Sequence, residues 1–256
     1  MRHATIKIRT DTPDYSAIPV EIYDWEYSCY ADAEEEMPPD PPKPKGKSID
    51  MTSHFDASHY HDAISGKAAT GILHLFNQTP VDWFSKLQST VEMTAFGLDH
   101  VTARTCTEQI INLSLTLRYL GAPINGRTMV FGNNESIVNS AAVPHSKMHK
   151  RWVALSYHRV RWAVAAGIIN VHHVSSKENS ADTLSEHWDL PSVWETMKPL
   201  LFWHEKDGQK SQEESKEVNK DEVVDKMASG NGANSDVKTT SRKNEDSNES
   251  QLHRGE

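Results

Sequence analysis

Three short strand-like runs followed by one long helical stretch limit the fold of this chain more than any other feature. The runs are IDMTSHFDAS, AATGILHLFN and PVDWFSKL, and the turn-forming segments ISGK and NQTP separate them. This pattern is typical of an antiparallel meander. Beyond the third run, apolar residues recur at helical spacing until Gly121 and Pro123 end the pattern. These residues are Leu98, Val101, Ile110, Leu113, Leu117 and Leu120. We expect this helix to cover one face of the sheet.

The elements that follow alternate between strands and helices. The sequence predicts a strand at RTMVFG, a short helix from about Glu135, a longer helix near Lys147 to Ala166, and a strand at IINVHHV. The order is three strands, helix, strand, helices, strand, helix. It indicates an α/β fold class with a mixed central sheet, three antiparallel strands and then further strands, covered by helices. This domain is predicted to span residues 48–203.

Two irregular regions flank the predicted domain. Residues 204–256 contain mainly Lys, Glu, Asp, Ser, Asn and Gly, so burial cannot offset the entropy cost of ordering, and we expect a disordered acidic tail. Residues 1–30 hold several aromatics without a sustained period, which favours an extension that packs onto the domain. The segment ADAEEEMPPDPPKPKGK then predicts a linker that ends near Lys47.

The charge of the chain limits how it can bind nucleic acid. A formal net charge of -9 argues against general attraction to phosphates, so any such contact must be local. One clearly basic stretch could follow a nucleic-acid backbone, although a solvated helix face is an equal alternative. Its residues are His145, Lys147, His149, Lys150, Arg151, His158, Arg159 and Arg161. No run approaches the roughly 20 apolar residues of a membrane-spanning helix, and no signal peptide is evident, which favours a cytoplasmic or nuclear location.

Other chemically notable residues favour structural roles. Cys29 and Cys106 are far apart and are predicted to be buried small hydrophobes in a reducing compartment. A zinc site among His54, His59 and His61 is disfavoured, because His54 and His61 fall on opposite faces of an extended segment. The aromatics Trp83, Phe84 and Trp162 are predicted to be core residues rather than platforms for stacked bases.

Acidic or amide residues occur where predicted strands and helices begin or end. Asp56 lies within the first strand, Asp99 in the first turns of the long helix, Asn133 just past the fourth strand, and Asp182 at a helix start. Such positions can converge on one cleft of an α/β sheet. Oxygen ligands suit Mg²⁺, and a pair of these ions can clamp the reacting oxygens in phosphodiester hydrolysis. Spacing alone also fits ordinary surface acids, because the chain has 36 acidic residues.

Longer words around these residues resemble the ribonuclease H domain that closes copia-type retrotransposon Pol polyproteins. The words are HFDASHYHDAISGKAATGILHLFNQTPVDWFSKLQSTVE, ARTCTEQIINLSLTLRYLGAPI, MVFGNNESIVNS, HSKMHKRWVALSYHRVRWAVAAGII and NSADTLSEHW. The resemblance covers roughly residues 1–203 and leaves the tail unmatched. It implies a ribonuclease-H-like fold, Mg²⁺ dependence with two ions, and cleavage of the RNA strand in RNA/DNA hybrids.

The resemblance also implies catalytic and metal-binding roles at these four positions. Asp56 matches the family's first-strand Asp, and Asp182 in ADTL matches the Asp of the A-D-I-L word. Asp99 falls on the family's helix Glu, so its carboxylate is one methylene shorter. Asn133 in FGNNES falls on the Asp of the G-D-N-E-S word, and this is the most serious departure from the pattern.

The loss of one carboxylate at Asn133 predicts an impaired enzyme. A charge pair at about 4 Å is worth about 4 kcal/mol at an effective dielectric near 20, which corresponds to about a thousandfold in rate. We therefore expect hybrid cleavage to be weak or absent, unless Glu135 or Glu92 compensates. The main alternative is a non-catalytic nucleic-acid-binding remnant of the polyprotein. Strand transfer, as catalysed by integrases, is a third and weaker alternative function, because the sequence motifs do not resemble those of integrases.

Overall fold

A five-stranded sheet forms the centre of the fold. In this computed structural model, residues 5–6, 9–18, 22–62, 64–92, 94–148 and 150–202 are described. The strands are β1 (Thr5–Ile6), β2 (Met51–Asp62), β3 (Lys67–Phe76), β4 (Thr79–Leu87), β5 (Thr128–Gly132), β6 (Ile169–His173) and β7 (Leu201–Phe202). The helices are α1 (Ala95–Tyr119), α2 (Glu135–Ala142), α3 (Ala154–Ala165), α4 (Asp182–Ser185) and α5 (Leu190–Met197). Short 3-10 turns are found at Arg151–Val153 and Lys198–Leu200.

The strand order of the central sheet is β4-β3-β2-β5-β6. The first three strands along the chain pair antiparallel as a meander, and β5 and β6 then join in parallel on the other side of β2. Strands β1 and β7 form a separate antiparallel pair. A meander extended by parallel strands that are reached through helices is the ribonuclease-H-like arrangement, so the predicted fold class is confirmed.

The main core lies between the sheet, α1 and α3. Phe55 and Ile72 come from neighbouring strands and belong to one buried cluster with Cys106 and Ile110 of α1. Burial of such apolar surface is the main stabilising term of a domain like this. Cys106 is buried as predicted, but the prediction for Cys29 is wrong: this residue is exposed in a turn whose flanking aromatics take the buried positions.

Helix α1 begins and ends where the sequence indicates. The Thr94 side chain caps the first turn by accepting a hydrogen bond from the Gly97 amide. After Leu120 the chain leaves the helix through Gly121, whose φ of +71° is a conformation that glycine adopts at low cost. Among the described residues, no helix has both the length and the apolar character needed to cross a membrane.

The predicted helix near Lys147 to Ala166 starts later than expected. Helix α3 begins only at Ala154, and the segment before it, apart from its 3-10 turn, is irregular. Side chains of α3 bind the chain just before this segment: Arg161 donates to the carbonyls of Val143 and Pro144, and the Tyr157 hydroxyl donates to the Ser146 carbonyl over 2.6 Å. Lys147 therefore lies outside the helix, and His149 lies outside the described residues.

The segment before the sheet contacts the domain at several places along its length. The amide of Arg9 donates to the Thr79 hydroxyl over 2.7 Å, and Tyr15 hydrogen-bonds to Thr52 on β2. The proline-rich stretch is irregular but not detached. Its Glu35 pairs with Arg118 over 2.7 Å, and its Lys45 amide donates to the Gly121 carbonyl over 2.8 Å. The boundary at residue 47 stays a prediction, and the predicted tail, 204–256, lies outside the described residues.

Arg161 is the most deeply buried basic side chain of the predicted basic stretch, with 2% of its surface exposed. Its guanidinium donates to the carbonyls of Ser140, Val143 and Pro144 over 2.6, 2.8 and 2.6 Å. It also lies 4.8 Å from the ring centroid of Trp25, 5.4 Å from that of Tyr30 and 5.0 Å from that of Tyr157. The carbonyl dipoles and aromatic faces stabilise the buried charge. Arg161 thereby ties the N-terminal segment to the connection between α2 and α3.

Candidate functional site

An open cleft of about 680 Å³ brings together all four residues singled out in the sequence. Asp56 comes from β2, Asp99 from the first turns of α1, Asn133 from the position after β5, and Asp182 from the first residue of α4. The rest of the described lining is Ala57, His59, Ala95, Asn134, Glu135, Ser136, Ser176, Glu186 and Trp188. The convergence follows from the topology, because β2 and β5 are neighbouring parallel strands whose residues Phe55 and Gly132 are in register.

Asp56 lies at the bottom of this cleft with 4% of its surface exposed. One carboxylate oxygen accepts a hydrogen bond from the Asn133 side-chain nitrogen over 2.9 Å. The other accepts a hydrogen bond from the Ser185 hydroxyl. Neutral donors therefore occupy both oxygens of this carboxylate. Asn133 thus presents its side-chain nitrogen, and not its oxygen, to Asp56.

Asp99 and Asp182 are carboxyl groups whose pKa is raised. Asp99 is 5% exposed, and its burial, with a smaller contribution from the charge of Asp56, raises its pKa to about 7. A 2.6 Å hydrogen bond from the Asn134 side-chain nitrogen acts in the opposite direction. Burial, followed by the charges of Asp56 and Glu186, raises the pKa of Asp182 to about 7. Burial and the neighbouring carboxylates thus disfavour the charged form of both groups.

The chemistry of this donor set suits a divalent cation, with one mismatch. The cleft lining offers carboxylate and amide oxygens and contains no Lys or Arg among its described residues. Such oxygens and uncompensated charge fit Mg²⁺. Within the described residues, however, no group of three or more His, Cys, Asp or Glu side chains has the spacing to hold a metal ion. The carboxylates of Asp56, Asp99 and Asp182 therefore line one cleft without the spacing of a metal-binding cluster.

Several residues that support the site were not singled out in the sequence. Ser185 follows Asp182 by three positions, which places it on the same side of a helical turn, and this spacing could have identified it. Asn134 also caps α2, accepting from the Ser136 amide over 3.1 Å, so the cap pattern before that helix was a usable signal. No sequence signal indicated that buried Asn179 donates to the Phe55 carbonyl over 3.0 Å.

The two compensating acids considered from the sequence have different positions. Glu135 lines the cleft as the first residue of α2. Glu92 lies before α1, which begins at Ala95, so the helix does not carry it towards Asp99. Compensation by Glu92 required α1 to extend back to this residue, and it does not. Glu135 is the one of the pair that faces the cleft.

Gly71 allows α4 to lie directly against the sheet beside Asp56, with which it is in register. A Cβ atom there would come within 2.5 Å of the Ala181 carbonyl oxygen and 2.7 Å of the Ser185 nitrogen. We expect Gly71→Ala to displace the helix that carries Asp182 and to lower the free energy of unfolding by about 1–3 kcal/mol, as overpacking does. Urea unfolding measures this change. If the wild type cleaves hybrids, the Gly71→Ala variant should cleave them more slowly.

The matched control for this substitution is Gly97→Ala. A Cβ at Gly97 would meet only the side chain of Glu92, with its nearest atom at 2.8 Å, and that side chain can move. Alanine also has a higher helix propensity than glycine, so the control should be neutral or stabilising. Equal stabilities of the Gly71 variant and the wild type would contradict the account of how α4 is placed.

A second prediction follows from the raised pKa of Asp99. Its folded-state pKa of about 7 exceeds the ordinary value of 3.8, so the folded protein takes up a proton as the pH falls between these values. Wild-type stability should therefore rise as the pH falls from 8 towards 5, relative to a variant without this group. In EDTA, Asp99→Asn should be more stable than the wild type at pH 8, and this advantage should shrink at pH 5. Thermal melts at both pH values measure it, and a pH-independent difference would contradict it.

The basic stretch divides into buried and accessible parts. Arg161 fits neither of the two alternatives left open for this stretch, a nucleic-acid contact or a solvated helix face, because its guanidinium is buried against carbonyls and rings. Arg159 is bound to Glu108 through its Nε over 2.8 Å, so its charge is paired. Lys147 and Arg151 are exposed, and Lys150 is partly exposed, with its Nζ 5.3 Å from the ring centroid of exposed Trp152.

Two of the three aromatics predicted as core residues are partly buried. Phe84 and Trp162 pack against the main core. Trp83 does not, since 58% of its surface is exposed. The physical reason is that consecutive side chains of a strand point to opposite faces of the sheet, so Trp83 lies on the face opposite to Phe84.

Comparison with known proteins identifies relatives of this chain. It is 25% identical over 144 residues to the retrovirus-related Pol polyprotein from transposon RE2 of Arabidopsis thaliana. The aligned region covers 56% of this chain and 10% of that protein. It is 24% identical over 136 residues to the corresponding polyprotein from transposon TNT 1-94 of Nicotiana tabacum, covering 53% and 10%. The chain thus spans about a tenth of the length of these curated relatives. No protein family model matches it.

Solved structures with some similarity include ribonuclease H domains. One is the N-terminal RNase H domain of Rv2228c from Mycobacterium tuberculosis, solved as a fusion with maltose-binding protein, with 13% identity, a TM-score of 0.43, and coverage of 59% of this chain and 99% of that chain. Another is LC11-RNase H1 in complex with an RNA/DNA hybrid, with 15% identity, a TM-score of 0.41, and coverage of 54% and 93%. The fold assignment itself comes from the strand order. The chain is thus similar over about half of its length to part of the retrovirus-related Pol polyproteins of plant transposons, and its fold is ribonuclease-H-like.

Proposed function

We propose that this chain is a ribonuclease-H-derived domain that binds RNA/DNA hybrids and cleaves their RNA strand slowly at best. The observation that carries the proposal is the contact between Asn133 and Asp56, in which an amide nitrogen donates to the carboxylate over 2.9 Å. The family resemblance implies a carboxylate at position 133, whereas Asn133 supplies a neutral hydrogen-bond donor. The cleft therefore keeps three of the four acids that the family resemblance implies.

The residues that would hold a divalent cation are Asp56, Asp99, Asp182 and, through its amide oxygen, Asn133. A bound cation would neutralise charge on the scissile phosphate and favour ionisation of a water molecule. The contribution of the chain itself is to hold these side chains in place. Ser185 and Asn134 fix the carboxylates of Asp56 and Asp99 by hydrogen bonds. Asn133 would have to rotate its amide to present oxygen instead of nitrogen.

Contact with the nucleic-acid backbone is assigned to the accessible part of the basic stretch, which is Lys147, Lys150 and Arg151. Positive side chains bind phosphates by displacing counterions, which a local patch can do even in an acidic protein. Trp152 adds an exposed ring beside Lys150. The proposal includes a cytoplasmic or nuclear location, which fractionation of cells that express the chain would test.

Single-turnover cleavage of an end-labelled RNA/DNA hybrid tests the proposed function. Wild-type protein with Mg²⁺ should cleave slowly or not at all, and any cleavage should disappear in EDTA and in Asp56→Asn. The hybrid should still bind to both proteins in EDTA. Rapid wild-type cleavage would contradict the impaired site, and cleavage that survives Asp56→Asn would contradict the assignment of the site.

The second candidate function is a binding remnant without catalysis. It is favoured by the fact that neutral donors already satisfy both oxygens of Asp56, so this carboxylate has hydrogen-bond partners without a cation. In that case hybrid binding would persist while the wild type and every variant that restores a carboxylate remain inactive.

A further inference from the structure

The cleft that holds the four site residues has a strongly acidic lining. The acids among its described lining residues are Asp56, Asp99, Glu135, Asp182 and Glu186, and no Lys or Arg accompanies them. A lining of one charge sign repels the phosphates of a nucleic acid. Without a bound cation, Coulomb attraction therefore cannot hold a nucleic acid in this cleft. Any affinity in the cleft itself must come from contacts that do not depend on charge.

Trp188 offers such a contact at the wall of the cleft. It is the only Trp, Tyr or Phe among the described lining residues, and 43% of its surface is exposed. Its indole Nε1 donates a hydrogen bond to the Asp182 carbonyl over 3.1 Å. This bond anchors one edge of the ring beside the first residue of α4. An anchored and accessible ring loses little conformational freedom when a flat ligand stacks on it.

We propose that Trp188 stacks an unpaired nucleobase next to the site, so that the cleft prefers hybrids with a single-stranded extension. This inference rests on the proposed function of hybrid binding and names the substrate class more closely. The base must be unpaired because neighbouring bases already cover both faces of a base within a duplex. Stacking also tolerates any base, since every base has a π-face. The expected specificity is therefore for strand structure and not for sequence.

Titration of labelled hybrids in EDTA tests the inference. One hybrid is blunt and the other carries an unpaired extension of several nucleotides. Wild-type protein should bind the extended hybrid more tightly. Removing a stacked ring costs about 1–3 kcal/mol per base, so Trp188→Ala should weaken binding of the extended hybrid by roughly tenfold and leave the blunt hybrid nearly unchanged.

Two variants separate stacking from other effects. Trp188→Phe keeps an aromatic ring but loses the bond to Asp182, so it should retain most of the preference for the extension, even if the alanine variant folds poorly. Trp83→Ala removes an indole that is 58% exposed on β4 but is not part of the cleft lining, and it should bind like the wild type. Circular dichroism checks the folding of each variant.

The outcomes are distinguishable. If Trp188→Ala and Trp188→Phe both bind the extended hybrid as tightly as the wild type does, stacking is overturned and the proposed function survives. If Trp188→Ala loses the same factor of affinity for the blunt and the extended hybrid, stacking is also overturned, because equal losses indicate a general positioning effect. If the wild type binds neither hybrid, both the proposed function and this inference fail.

Discussion

Replacing Asn133 by Asp is expected to raise the Mg²⁺-dependent rate of hybrid cleavage by about a thousandfold. The restored charge pair with a cation is worth about 4 kcal/mol at about 4 Å and an effective dielectric near 20. In the wild type, the Asn133 nitrogen donates to Asp56 over 2.9 Å, so the substitution also replaces a favourable contact by two facing carboxylates. The variant should therefore be less stable than the wild type in EDTA and should gain more stability when Mg²⁺ is added. Single-turnover cleavage and thermal melts measure the two effects.

The matched control is Asn134→Asp. It adds the same charge to the same cleft at the neighbouring position, but it removes the 2.6 Å hydrogen bond to Asp99. We expect it to leave cleavage as slow as in the wild type or slower. If Asn134→Asp activates the protein as much as Asn133→Asp, the effect is general electrostatics and not a restored ligand. An inactive Asn133→Asp protein that still binds hybrid would favour the non-catalytic remnant.

Replacing Arg161 by Met is expected to lower the free energy of unfolding by about 3–5 kcal/mol, because three carbonyls lose their donor and each buried polar group left unpaired costs about 1–3 kcal/mol. The substitution would leave the carbonyls of Ser140, Val143 and Pro144 without their guanidinium donor, and it would remove the cation that Trp25 faces at 4.8 Å. Urea unfolding in EDTA, followed by circular dichroism, measures the change.

Arg159→Met is the matched control on the same helix. Its ion pair with Glu108 is partly exposed, with side-chain exposures of 32% and 42%. Exposed pairs of this kind contribute about 0–1 kcal/mol, and the cation–π contact of Arg159 with the Trp162 ring at 4.5 Å adds about 0.5–1 kcal/mol, so this variant should lose less than about 2 kcal/mol. If the two variants lose equal stability, the buried guanidinium has no special role in joining the N-terminal segment to α2 and α3.

The sequence predicted the elements with strong periodicity and missed the contacts between distant residues. The meander and α1 were predictable because alternation and helical spacing continue over many residues. The burial of Arg161 was not, because its aromatic neighbours Trp25 and Tyr157 are far from each other in the chain. The same limit applies to the late start of α3. Arg161, a side chain of that helix, binds the Val143 and Pro144 carbonyls of the segment that precedes it.

The candidate site shows the same division between residue identity and contact. Sequence motifs that resemble the family indicated the four site positions, and the fold brings all four to one cleft. These positions are Asp56, Asp99, Asn133 and Asp182. The direction of the Asn133 amide could not be predicted, because it depends on where the Asp56 carboxylate lies after folding. The hydroxyl of Ser185 on the other Asp56 oxygen depends on the close packing of α4 against Gly71.

Calorimetric titration of metal-free protein with Mg²⁺, on the wild type and on Asn133→Asp, tests the central claim most directly, because it measures the cation site without substrate or chemistry. The wild type should bind Mg²⁺ at least tenfold more weakly than the Asp variant, a difference of about 1.4 kcal/mol or more. Equal affinities of the two proteins would contradict the claim that the amide at position 133 is what weakens this site.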